Sequence, residues 1–140
     1  MNHDLVEQVE LPLTGWTARL HRDDGRPARL VMDPGGGAPL TYSLLAPTGR
    51  DRGQLLLGAH HVPLARPFGP SAVGTVTLAY GVLGDDPIDL AFLRRRSWRP
   101  ARARRAEPVT LADRVWCAEL AGHFDEVRAT AAGHTAVRLV

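Results

Sequence analysis

Through the first two-thirds of this 140-residue chain, short apolar segments that alternate with polar residues are each cut off by turn-forming residues, drawn from 12 of the chain's 14 glycines, 9 of its 11 prolines and a set of paired aspartates. Alternation with period two is the signature of a strand with one buried face, and Gly, Pro and Asp stop such strands for separate backbone reasons. Residues 5–11 read as a first strand, stopped by Pro12 and Gly15. Residues 16–21 set Trp16, Ala18 and Leu20 against Thr17, Arg19 and His21. Across the Asp23-Asp24-Gly25 turn, 28–32 alternate again, which predicts a hairpin. Leu40, Tyr42 and Leu44 share the next face.

Leu55-Leu56-Leu57 is apolar on both faces and predicts a doubly covered strand that ends near Pro63. Val76, Leu78, Tyr80 and Val82, followed by Gly84-Asp85-Asp86-Pro87 and then Ile88, Leu90 and Phe92, predict a second hairpin. From Thr110 the period turns helical. Ala112, Trp116, Leu120, Phe124 and Val127 fall on one helical face, Thr110 and Asp113 resemble a capping box, and Gly133 suits a C-cap. The expected fold is therefore mainly β, with six to seven antiparallel strands as an open barrel or sandwich and one long C-terminal helix. A single domain spans 1–140: β-rich 1–93, an Arg-rich linker or strand extension over 94–107, a helix over 109–132 and a closing strand over 134–140.

All 17 basic side chains are arginine and none is lysine, a bias that a GC-rich bacterial genome produces. No apolar run reaches the ~20 residues of a spanning helix. The acidic start MNHDLVEQVE is unlike a signal peptide, so the expected compartment is the cytoplasm, with no membrane partner. The lone Cys117 rules out an intramolecular disulfide and argues against cysteine-bound zinc.

Charge is unevenly distributed. Residues 94–105 hold seven arginines (Arg94, Arg95, Arg96, Arg99, Arg102, Arg104 and Arg105) and no acid, while the remaining 128 residues carry ten arginines and fifteen acids, so a +7 segment is set against a −5 remainder. Guanidinium forks suit phosphates, and Trp98 within the segment could stack on an unpaired base. These residues form the candidate interface for an anionic partner, most plausibly nucleic acid, with an acidic protein as the other fit. Set against this, the arginines could lie over the acidic remainder of the same molecule or simply be solvated.

No motif assigns a catalytic residue, a metal ligand or a cofactor. Asp23-Asp24 and Asp85-Asp86 sit in turns, where Asp is favoured for its own backbone hydrogen bonds. Gly35-Gly36-Gly37 is followed by a β pattern, where a phosphate loop would lead into a helix. His60 and His61 are adjacent, so in a strand they point to opposite faces. The reading is thus a non-catalytic binding or regulatory domain. One alternative is a small β-barrel that binds, isomerises or cyclises an organic molecule in a pocket lined by Trp16, Tyr42, His60, His61 and Tyr80. Another is a protein-interaction or assembly subunit, such as a homodimer joined along a strand edge.

Overall fold

A computed structural model describes residues 4–22, 24–44, 54–65, 74–96 and 99–140. The described residues form twelve strands and no helix: β1 (Asp4–Glu10), β2 (Thr17–Arg22), β3 (Arg29–Asp33), β4 (Leu40–Ser43), β5 (Gly58–Pro63), β6 (Thr75–Val82), β7 (Asp89–Arg96), β8 (Arg99–Arg105), β9 (Val109–Leu111), β10 (Val115–Ala121), β11 (Glu126–Ala131) and β12 (His134–Leu139). They build three four-stranded antiparallel sheets, in the orders β1-β2-β3-β4, β5-β6-β10-β9 and β12-β11-β7-β8.

The second sheet is the middle layer. Leu78, Tyr80, Val115 and Cys117 pack with Ala18, Leu20, Leu30 and Met32 of the first sheet. Their neighbours Ala79, Trp116 and Ala118 pack with Leu90, Phe92, Val127 and Ala129 of the third. Successive residues of β6 and β10 thus enter two different cores, as side chains alternate along a strand. Each large side chain buried in this way contributes about 1.5–3 kcal/mol, and Trp116, Tyr80, Phe92 and Phe124 are the largest of them.

The long C-terminal helix is not formed. Residues 109–131 are instead β9, β10 and β11, and the described residues form twelve strands where six to seven were expected, with no closed barrel among them. The spacing of Ala112, Trp116, Leu120 and Phe124 is four residues, a multiple of two as well as a near-match to 3.6. Because β10 is buried on both faces from Val115 to Ala118, polar residues do not interrupt it to reveal the shorter period. The supposed capping box is a tight hairpin turn: Ala112 and Asp113 both have positive φ (48° and 52°), and Arg114 N–H donates to the Leu111 carbonyl at 2.9 Å. Gly133 is not a helix cap but, with Ala132, the turn between β11 and β12.

Two further expectations are corrected. Leu55-Leu56-Leu57 is not a strand, although Leu57 N–H donates to the Tyr80 carbonyl and Trp116 Nε1–H donates to the Leu55 carbonyl, each at 2.9 Å. β6 and β7 are not a hairpin either, since β6 pairs with β5 and β10 while β7 pairs with β8 and β11; residues 84–87 cross from the middle layer to the third. Alternation marks a strand but carries no information about its partner. The Arg-rich stretch takes the form of a strand extension, with β7 running to Arg96 and β8 beginning at Arg99.

Candidate functional site

The seven arginines fall on two adjacent strands, and β8 is the edge of its sheet. The register sets Arg94 opposite Arg102, Arg96 opposite Arg99, Phe92 opposite Arg104 and Ala91 opposite Arg105, with a bulge between Arg94 and Arg96. Along β8, Arg102 and Arg104 therefore share one face and Arg105 takes the other. All three are exposed, and none has an ion pair among the described residues.

Arg94 and Arg95 are spent on the fold. The Arg94 guanidinium lies over the Phe124 ring, 4.8 Å from its centroid, and crosses Gly122, where a Cβ would collide with it. The Arg95 side chain reaches Glu126 Oε1 at 3.0 Å, and its backbone N–H donates to Asp125 Oδ2 at 2.9 Å. Glu126 is almost fully buried and takes a second guanidinium, with Arg128 Nε 2.6 Å from Oε2. The third sheet thus holds Arg94, Arg95 and Arg128 in place and leaves Arg102, Arg104 and Arg105 unspent. Trp98 lies outside the described residues.

A second cluster occupies the other side of the middle layer. Even-numbered residues of β5 face the first sheet, so His60 points there and His61 points to the third, as their adjacency requires. His60 Nε2 is 2.8 Å from the Tyr80 hydroxyl, which is 2.5 Å from the Tyr42 hydroxyl. The Trp16 ring lies 5.7 Å from that of His60. Four of the five residues named for a pocket, Trp16, Tyr42, His60 and Tyr80, are thereby brought together. His61 is not among them; its Nε2–H donates to the Phe124 carbonyl at 2.6 Å, and its ring stacks on His123 at 3.7 Å.

Glycine at position 58 makes room for this chain of hydroxyls, since a Cβ there would sit 2.5 Å from the Tyr80 oxygen. Burial pushes the Tyr80 hydroxyl well above its ordinary pKa, reinforced by its bond to Tyr42. Burial likewise holds His60 below its ordinary value, helped by the positive charge of Arg138. Cys117, across the sheet from Tyr80, is pushed up to about 12 by burial and by Glu119, so it is a packed thiol and not a nucleophile. Among the described residues no group of His, Cys, Asp and Glu could hold a metal ion, and no helix is long and apolar enough to cross a membrane.

Glu126 and Arg138 are the residues that sequence reasoning missed. Arg138 is a lone charge in an alternating segment and Glu126 one of the pair Asp125-Glu126, and the role of each depends on strand pairings that the letters do not encode. No protein family, curated protein or solved structure matches the chain.

Proposed function

We propose that this chain is a non-catalytic binding domain that holds single-stranded nucleic acid along the β7–β8 ribbon. The observation that carries the reading is the register that sets Arg102 opposite Arg94 on the edge strand β8, with Arg102, Arg104 and Arg105 exposed along it. Like charges directly opposite in an antiparallel pair destabilise it. A run of anionic phosphates along β8 turns that repulsion into attraction and releases counterions.

Charge on an edge strand also prevents sheets from adding to one another, and one or two arginines would suffice for that. Here Arg102, Arg104 and Arg105 all stand free of carboxylates among the described residues, and they point to both faces of the strand. An extended, flexible strand of nucleic acid can follow an edge with cations on both sides, whereas a flat anionic surface meets only one. Trp98, within the same stretch of sequence, is the candidate for base stacking.

The test is fluorescence anisotropy of a labelled 20-nucleotide single strand and of the matching duplex. The parent protein should bind the single strand more tightly than the duplex, and Arg102→Gln/Arg104→Gln/Arg105→Gln should lose at least tenfold in affinity. Equal binding by parent and triple variant would overturn the assignment.

A further inference from the structure

The Tyr42–Tyr80–His60 chain satisfies the buried Tyr80 hydroxyl and leaves polar atoms over at its ends. One buried hydroxyl, that of Tyr80, needs one or two partners, and it has both a tyrosine and a histidine. The ends of the chain are left over. His60 Nδ1 and Trp16 Nε1 have no hydrogen-bond partner among the described residues, and neither is among the sealed, unpartnered atoms, so both are accessible. Arg138 approaches from β12 of the third sheet, near enough for its charge to act on both His60 and Tyr80. Its Nε donates to the Leu56 carbonyl at 3.3 Å, just before β5, and its remaining guanidinium N–H groups have no partner among the described residues.

The proton arithmetic of the chain gives the site a sign. Tyr80 has one proton for two neighbours, so either Tyr42 donates to Tyr80 and Tyr80 donates to His60 Nε2, or the whole chain runs the other way. In the first arrangement neutral His60 carries its proton on Nδ1 and presents a donor outward. That donor and the Trp16 indole N–H are then two unspent donors beside one aromatic face, and Arg138 adds further free donors and a positive charge that His60 feels.

We propose that Trp16, His60 and Arg138 form a binding site for a small aromatic carboxylate, whose ring packs on Trp16 while its carboxylate accepts from His60 Nδ1–H and from Arg138. Tyr42 and Tyr80 act as positioning residues that fix the His60 tautomer from behind. An anion at Nδ1 selects the arrangement that donates toward it, so ligand and hydrogen-bond direction reinforce each other. Trp16 and His60 lie on the face of the middle layer opposite to the third sheet, Arg138 reaches round the β5 edge from β12, and β12 and the arginine strand β8 are opposite edges of the third sheet.

The probe is 2-naphthoate, followed by its own fluorescence anisotropy as protein is added, with benzoate and neutral benzamide as competitors. The parent should bind saturably, and benzoate should displace the probe at concentrations at least tenfold below benzamide. His60→Gln and Arg138→Gln should each weaken binding at least tenfold; Arg138 is exposed, so its variant tests the site even where His60→Gln folds poorly. Arg102→Gln/Arg104→Gln/Arg105→Gln should bind the probe like the parent. Absence of saturable binding, equal competition by benzamide, or loss of binding in the ribbon variant alone would each overturn the proposal.

Discussion

Arg94 and Arg102 stand directly opposite each other on β7 and β8, yet only Arg94 has an internal use for its charge, over the ring of Phe124. Arg102 therefore lowers the stability of the free protein. Arg102→Thr removes the repulsion and adds a residue suited to strands, so it should raise stability by about 0.2–1 kcal/mol while weakening nucleic-acid binding. Urea denaturation at low salt measures the gain, which should shrink at high salt as charges are screened. A variant less stable than the parent would show that Arg102 is held by the fold after all.

Glu126 carries the opposite expectation. Its carboxylate is only 5% exposed and is shared by Arg95 and Arg128, both of which remain about half in solvent. Truncating a buried partner leaves charges uncompensated, at a cost that the exposure of the two arginines reduces. Glu126→Ala should cost about 2 kcal/mol in a denaturant titration. A loss below about 0.5 kcal/mol would place the pair among ordinary surface ion pairs.

Gly81 marks the tightest approach between β6 and the leucine segment. A Cβ there would land on the Leu55 carbonyl and lie 2.8 Å from Trp116 Nε1, where the indole hydrogen bond passes. Backbone and a fully buried ring leave no room to yield, so Gly81→Ala should destabilise by about 3 kcal/mol or fail to fold. Gly84→Ala, with open space at its Cβ, is the matched control. Thermal unfolding of the two variants side by side separates them.

His60 gives stability a pH dependence. Its folded pKa lies below the ordinary 6.5, chiefly because burial disfavours the charged ring, so the unfolded chain binds the proton more readily than the folded one. The stabilisation is complete above pH 6.5 and is lost as pH falls through the folded value. Unfolding free energy measured from pH 7.5 to 5 should therefore decline, and His60→Gln should flatten the decline. An unchanged slope in the variant would assign it to other groups.

Much of the strand content was legible from alternation: β2, β3 and β6 lie close to where Trp16–His21, Ala28–Met32 and Val76–Val82 alternate. What alternation concealed was partnership and depth. β10 sits between two cores, so Val115, Trp116, Cys117 and Ala118 are all apolar and a four-residue spacing passes for a helix. Ala112 and Asp113 occupy positive φ without a glycine to announce the turn. In the candidate sites, the arginine run and the Trp16, Tyr42, His60 and Tyr80 set could be named from residue type alone. Which arginines are spent could not, because Phe124, Asp125 and Glu126 meet Arg94 and Arg95 only through the pairing of β7 with β11.

The central claim is that the unspent arginines of β7–β8 contact phosphates, and the salt dependence of single-strand binding tests it most directly. With Arg94 and Arg95 held internally, Arg102, Arg104 and Arg105 are the segment's unspent arginines among the described side chains. Each phosphate contact on a single strand contributes about −0.7 to the slope of log K against log salt, so these three give the parent a slope of roughly −2 or steeper between 50 and 200 mM salt. Arg102→Gln/Arg104→Gln/Arg105→Gln should make the slope shallower by roughly 2. A parent slope near zero, or one that the triple variant leaves unchanged, would contradict the account.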